Sequence, residues 1–430
     1  MVTNLARKPS LVKLGLLLSL SVALPLSGCS LGATSSGGGS TSGGGSTSGA
    51  PTATATAAHT GSAPTATPAL VSAPPHAFAW FQYDSHHAPQ IWASLNGASP
   101  VQITHIGPPS TTSCNTEVAW SPPVFSPDLT HIVASLGSFG CGDGNMYGPV
   151  SIITVSGGAI NNVPNNSINE IRTTQRTAGW LDNSTIWFIN QSGSAYTFHI
   201  GAGSASQLPG ISGAVEGAVR GSTLFWDSVN TSSTSSWPYT LRRYDLGTHS
   251  AISGAVSLGA WGTCQCSPGD FHTPGWDVSP NGSHIVYQVV TPKISSSGGI
   301  SSSRIYYANA DGSGVSHIAQ YMVTNQLVKM QFSPNGQWVA FTNALPSPAT
   351  LSASVSSPGG AGDPTFHGYS PDTYNYPVWK WDNSQFWAGT IDAANTQPGV
   401  TTGKLYRFTR GGGGVVGVSG GYNPWYTIGG

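Results

Sequence analysis

Asp277-Val278-Ser279-Pro280-Asn281-Gly282, followed by Ile285-Val286-Tyr287, is the stretch on which the fold turns. It returns as Gln331-Phe332-Ser333-Pro334-Asn335-Gly336 before Val339-Ala340-Phe341, and as Val124-Phe125-Ser126-Pro127-Asp128 before Ile132-Val133-Ala134. Each copy reads as a strand, a tight turn and a second strand. Proline fixes one φ angle of the turn, and Asn, Asp or Gly tolerates the next. Degenerate copies are Trp180-Leu181-Asp182-Asn183-Ser184 before Ile186-Trp187-Phe188, and Trp381-Asp382-Asn383-Ser384 before Phe386-Trp387. The weakest is Val219-Arg220-Gly221-Ser222 before Leu224-Phe225-Trp226.

A second motif follows each of these. Its clearest copies are Gln90-Ile91-Trp92-Ala93-Ser94-Leu95-Asn96-Gly97 and Arg304-Ile305-Tyr306-Tyr307-Ala308-Asn309-Ala310-Asp311-Gly312. Related stretches are Ser151–Thr154, Tyr196–His199, Leu241–Asp245 and Lys404–Phe408. They read as the third strand of a four-stranded unit, then a turn and a fourth strand such as Val101-Gln102-Ile103-Thr104. This two-part unit resembles the repeats of the TolB-like, WD-repeat-like β-propellers. Those repeats carry an aromatic-Ser-Pro-Asp-Gly turn and a later Ile-Tyr…Asp-Gly hairpin. The resemblance spans residues 76–430 and implies a fold, not an activity, because propellers host many unrelated functions.

The anchors Phe125, Trp180, Val219, Val278, Phe332 and Trp381 recur about every 50 residues, which gives about seven blades, within the four to eight usual for propellers. Six or eight stay open, since Phe341–Pro377 shows no clear third strand. The first unit begins on a second-strand pattern, Phe78-Ala79-Trp80-Phe81, with no first strand ahead of it. Its missing inner strand is expected from the C-terminal Pro424-Trp425-Tyr426-Thr427-Ile428. The fold class expected is therefore all-β: a propeller of four-stranded blades closed by a C-terminal strand.

Composition fits such a ring. Only 15 Lys and Arg and 16 Asp and Glu occur, 7% of the chain, against roughly 25% in an ordinary globular protein. Glycine (56) and proline (31) are abundant enough to exclude a coiled coil, and the scarcity of clustered basic residues excludes electrostatic binding of nucleic acid. Ring closure hides sheet edges that so few charges could not guard. A surface of Ser, Thr, Asn and Gly also predicts similar unfolding temperatures at neutral pH and near pH 3.

The N-terminus reads as an export signal, residues 1–28. Arg7, Lys8 and Lys13 precede an apolar run from Leu14 to Leu26, too short to span a bilayer as a helix. The run ends in Leu26-Ser27-Gly28-Cys29, which resembles the lipobox of bacterial lipoproteins. That resemblance implies cleavage before Cys29 and its lipidation, with attachment to the membrane through the acyl chains. Residues 29–75 then form a tether of Gly, Ser, Thr, Ala and Pro that cannot bury enough surface to fold. The folded part, 76–430, would face the periplasm or the cell exterior.

Beyond Cys29 there are four cysteines, Cys114, Cys141, Cys264 and Cys266, an even number in an exported chain, so disulfides are expected. Three connectivities exist, of which Cys114–Cys141 with Cys264–Cys266 is favoured. A metal site using Cys264, Cys266 and His272 is disfavoured by the Cys-x-Cys spacing. Gly417-Val418-Ser419-Gly420-Gly421 matches a nucleophile elbow but lacks a following helix. His86-His87 and Asp143-Gly144-Asn145 read as solvated loop residues. No catalytic residue, metal or cofactor is expected.

One placement does suggest a site. The residues just ahead of the predicted inner strands are Glu117, Arg176, Glu216, His272, Lys329 and Tyr376, nearly one ionisable or phenolic side chain per blade. As a ring at the channel mouth they would form a binding face; alternatively they are the polar residues any loop set collects. The function expected is a lipid-anchored, non-catalytic module, monomeric, with a protein or glycan partner in the envelope. The alternatives are an extracellular propeller enzyme, such as a glycan lyase or hydrolase, and a small-ligand or cation sensor.

Overall fold

The computed structural model describes residues 77–429 apart from 87, 97, 108–117, 140–145, 166–167, 169, 173–175, 233–235, 263–272, 294–299, 318–327, 345–350, 357–366, 369–372, 375–376, 380–381, 392–402, 410–415 and 423–426. The export signal, Cys29 and the tether lie outside the described residues, as do Cys114, Cys141, Cys264, Cys266, Glu117, His272 and Tyr376. Strands and turns make up the described part, and no helix occurs in it.

The strands form seven four-stranded units of consecutive antiparallel pairing. Blade 3 is the simplest: Ala178–Trp180, Thr185–Ile189, Ala195–His199 and Ser206–Gln207, in that order across the sheet. Blades 4 and 5 follow the same order, from Ala214–Arg220 to Ser250–Gly262 and from Trp276–Val278 to Ser316–His317. They touch through one parallel pair, Gly259↔Val290. Gly259 has φ +83, and a Cβ there would collide with the Val290 carbonyl, so only glycine admits this junction. Blades 2 and 7 have split inner strands, Val118–Trp120 with Val124–Phe125 and Thr373–Tyr374 with Val378–Trp379. In blade 6 the third and fourth strands are Leu351–Ser356 and His367–Gly368. These fill the Phe341–Pro377 stretch, whose small alternating residues gave no third-strand signal.

Blade 1 closes the ring. Thr427–Gly429 pairs with Ala77–Tyr83 in the register Phe78↔Gly429, Ala79↔Ile428 and Trp80↔Thr427. Pro89–Leu95 and Val101–Gln102 complete that sheet. Successive inner strands lie beside one another from Val124–Phe125 round to Val378–Trp379, which lies beside Thr427–Gly429. The chain is a seven-bladed β-propeller, its first blade shared between its two ends.

The core lies between blades. In the second strand of blade 2, Ile132 and Ala134 pack with blade 1, whereas Val133 packs with blade 3. Blade 3 repeats the pattern, with Ile186 and Phe188 toward blade 2 and Trp187 toward blade 4. Blade 5 does the same with Ile285 and Tyr287 against Val286. Because successive side chains of a strand point to opposite faces, a strand sandwiched on both must be apolar throughout. That is the reason for uninterrupted runs such as Ile285-Val286-Tyr287.

The Ser-Pro turns are held by one repeated bond set. Ser279 Oγ donates to Asn281 Oδ1 at 2.7 Å and accepts from His284 N at 2.9 Å. Ser333 does the same with Asn335 and Trp338, and Ser126 with Asp128 and His131. Gly282 and Gly336 have φ +72 and +70; in the blade 2 copy Leu129 takes that left-handed position, φ +61. Tryptophan indoles tie neighbouring blades: Trp120 Nε1 donates to Pro89 O, Trp180 Nε1 to Val124 O and Trp379 Nε1 to Gln331 O, all at 2.8–2.9 Å.

Candidate functional site

The beginnings of the inner strands of blades 3 to 6 bring together three of the residues singled out from sequence. Arg176 stands two residues ahead of Ala178–Trp180, and Lys329 immediately ahead of Met330–Phe332. Glu216 was expected ahead of its strand but lies inside Ala214–Arg220. The strand starts earlier than its turn chemistry implied, and the extra residues are absorbed by a register shift between Ala214 and Gly217. There the Glu216 N–H turns to the Asp227 carboxylate, donating to Oδ1 at 2.7 Å.

These side chains form an ionic cluster that skips blades. Lys329 of blade 6 reaches Glu216 of blade 4 at 2.9 Å, past blade 5. Arg176 of blade 3 lies 3.6 Å from Glu216 and reaches past blade 4 to Asp277 of blade 5 at 3.1 Å. Its NH2 also donates to Trp276 O at 2.7 Å, and its guanidinium lies 4.5 Å from the centre of the Trp276 ring, a cation–π contact. Asp277 accepts from Phe332 N at 2.7 Å through its other oxygen and faces Arg220 at 3.5 Å. Arg220 in turn donates to Val278 O at 3.2 Å.

The carboxylates are buried, Glu216 and Asp277 to 1% side-chain exposure, whereas Arg176 and Lys329 keep 21%. Asp227 is fully enclosed. Burial, reinforced by the charge of Glu216, pushes its pKa up to about 8; the Glu216 N–H, Lys329 and Arg176 pull the other way and lose. At neutral pH Asp227 is therefore largely protonated, leaving two carboxylates among three cations. Such buried pairs need several partners each to offset their desolvation, and here each has them. Chemically the cluster is a set of struts across four blades.

Sequence reasoning missed Arg220, Asp227 and Asp277. A signal existed for the second: Asp227 follows the apolar Leu224-Phe225-Trp226, at a position where blades 2, 5 and 6 carry the uncharged Ser135, Gln288 and Thr342. The third sits in the inner strand beside a buried Trp276. Elsewhere, His86 lies in an exposed turn, its backbone N–H bonded to Asp84 Oδ1 at 2.8 Å. Ser419 lies within the strand Val416–Tyr422 paired with Leu405, so the nucleophile-elbow match is a fourth-strand sequence without the geometry of an elbow. Among the described residues no group of three or more His, Cys, Asp and Glu could hold a metal. His87 and residues 143–145 lie outside the described residues.

No family model matches the chain, and no curated protein does. Solved structures do. A TolB-assigned protein from Agrobacterium tumefaciens aligns over 83% of this chain and 94% of its own, at 12% identity and a TM-score of 0.39. An oligogalacturonate lyase in complex with manganese covers 80% and 85%, at 12% identity and 0.49. The β-propeller domain of the trilobed protease from Pyrococcus furiosus covers 82% and 96%, at 10% identity and 0.43.

Proposed function

We propose that this protein is a lipid-anchored propeller of the cell envelope that acts as a non-catalytic binding or scaffold module. The observation that carries this reading is the use made of the charged residues at the inner-strand beginnings. Glu216 and Asp277 are buried and held by cations and backbone N–H groups, and Asp227 is neutralised by burial. Groups so engaged brace a rigid ring; a glycan lyase or hydrolase would need a carboxylate or imidazole facing substrate. The lipobox-like Leu26-Ser27-Gly28-Cys29 and the tether after it support anchoring at a membrane surface.

Three experiments test this. Metabolic labelling with palmitate should mark the wild type and not Cys29→Ala, which should move from the membrane to the soluble fraction. Cross-linking of the anchored protein in isolated envelopes should capture one stoichiometric protein partner. Turnover of envelope polysaccharide by the purified protein would overturn the non-catalytic reading.

A further inference from the structure

We propose that blade 4 carries a binding cleft for a carboxylate-bearing saccharide, separate from the ionic cluster. The cleft, about 800 Å³, lies between the loop at Gly210–Gly213 and the face of blade 4 turned toward blade 3. That size suits a small-molecule site. Its floor is a cross-strand block, Trp226 opposite Arg242 and Ser228 opposite Thr240. The outer strand of blade 4 swells beside it. Leu241 pairs with Val256 and Arg243 with Ile252, so Ser253, Gly254 and Ala255 stand opposite Arg242 alone, an excess of two residues. Gly254 takes φ +85 to make the bulge, and Arg243 NH2 holds it by donating to Ser253 O at 2.9 Å. Bulges of this kind re-aim side chains at sites.

Arg242 in the cleft asks for an anionic acceptor. Arg242 is exposed, and among the described residues its guanidinium makes one hydrogen bond, Nε to Ser228 Oγ at 3.3 Å, and no ion pair. Arg176, Arg220, Arg243 and Lys329 are by contrast each engaged with a carboxylate or a carbonyl. Trp226, 2% exposed, is a wall of the cleft and packs behind it in the apolar layer between blades 3 and 4. A planar guanidinium fork matches a carboxylate in two-point geometry. The hydroxyls of Ser228, Thr240 and Ser253 both donate and accept, which suits sugar hydroxyls.

The test uses the mature chain, with a hyaluronan tetrasaccharide as the uronate probe and chitotetraose as its neutral counterpart, by calorimetry at low salt. Binding of the uronate probe is expected, with chitotetraose at least tenfold weaker. Arg242→Gln should weaken uronate binding about tenfold without lowering the unfolding temperature. Arg304→Gln, in blade 5, should leave it unchanged. Absence of uronate binding, equal affinity for the two probes, or wild-type affinity in Arg242→Gln would overturn the proposal. Because Arg242 is exposed, its replacement leaves the fold intact and decides the matter. Failure here would leave the captured protein partner of the anchored module untouched, so the two readings fall separately.

Discussion

Asp227→Asn is the sharpest probe of the ionic cluster. The pKa of Asp227 rises from its ordinary 3.8 to about 8, chiefly through burial and then through the charge of Glu216. The native state therefore holds a proton that the unfolded chain releases above pH 4. The stability linked to that proton is complete below pH 4 and is lost as pH rises toward 8. The slope is about 1.4 kcal/mol per pH unit, or about 4 kcal/mol between pH 4 and 7. Unfolding entropy of about 2.1 cal/mol/K per residue over the propeller converts this to about 2 °C per pH unit. Asparagine keeps an oxygen for the Glu216 N–H and has no proton to lose. The unfolding temperature of the variant minus that of wild type, followed by circular dichroism from pH 5 to 9, should rise about 2 °C per unit and level off above pH 8. Titration of other groups cancels in the difference, and the offset set by the new NH2 group does not alter the slope. A flat or falling difference would refute a protonated Asp227.

Four further outcomes follow from the same geometry. Arg176→Met should cost about 2–3 kcal/mol in urea unfolding, less than a fully buried pair because the guanidinium is partly exposed, and adding Asp277→Asn should recover part of the loss. Ser333→Ala removes the acceptor of the Trp338 N–H and should cost about 1 kcal/mol, as should Ser279→Ala in blade 5. Gly259→Ala should cost at least about 2 kcal/mol, because the new methyl meets the Val290 carbonyl at a left-handed φ; a neutral urea midpoint would refute the blade 4–5 junction. Hydrogen bonds from the Ser126 hydroxyl to Asp128, the Ser184 backbone N–H to Asp182 and the Ser313 hydroxyl to Asp311 hold these turn aspartates below the usual range. Their contribution is present above pH 4 and lost on acidification, so the unfolding temperature should fall between pH 4 and 2.5, contrary to the pH-independence expected from composition alone.

The blades were legible because their signals are local. Ser-Pro-Asn-Gly closes its own hydrogen bonds within six residues, from Ser333 to Trp338, and an apolar run such as Ile285-Val286-Tyr287 records that both faces of its strand are covered. Closure could be read from what blade 1 lacked. The cluster was half legible. Turn chemistry placed Arg176 and Lys329 at strand beginnings, but their partners lie 101 and 113 residues away. Which residues meet there depends on how far the ring curves between blades, a quantity no local pattern encodes. The blade 4 cleft was invisible for a related reason: beside it an outer strand carries two extra residues, and Arg242 alone looks like any exposed arginine. Scarce charge and blade stacking are then two views of one constraint. Strands covered on both faces exclude charge from most of the chain; of the charges left, some sit in exposed turns and others, Arg176, Glu216, Asp277 and Lys329 among them, lie at or near the beginnings of inner strands. There convergence forces them together, and only mutual pairing makes their burial tolerable. Arg242 lies outside that convergence and meets no carboxylate among the described residues, so its charge stays available to an anion in the blade 4 cleft.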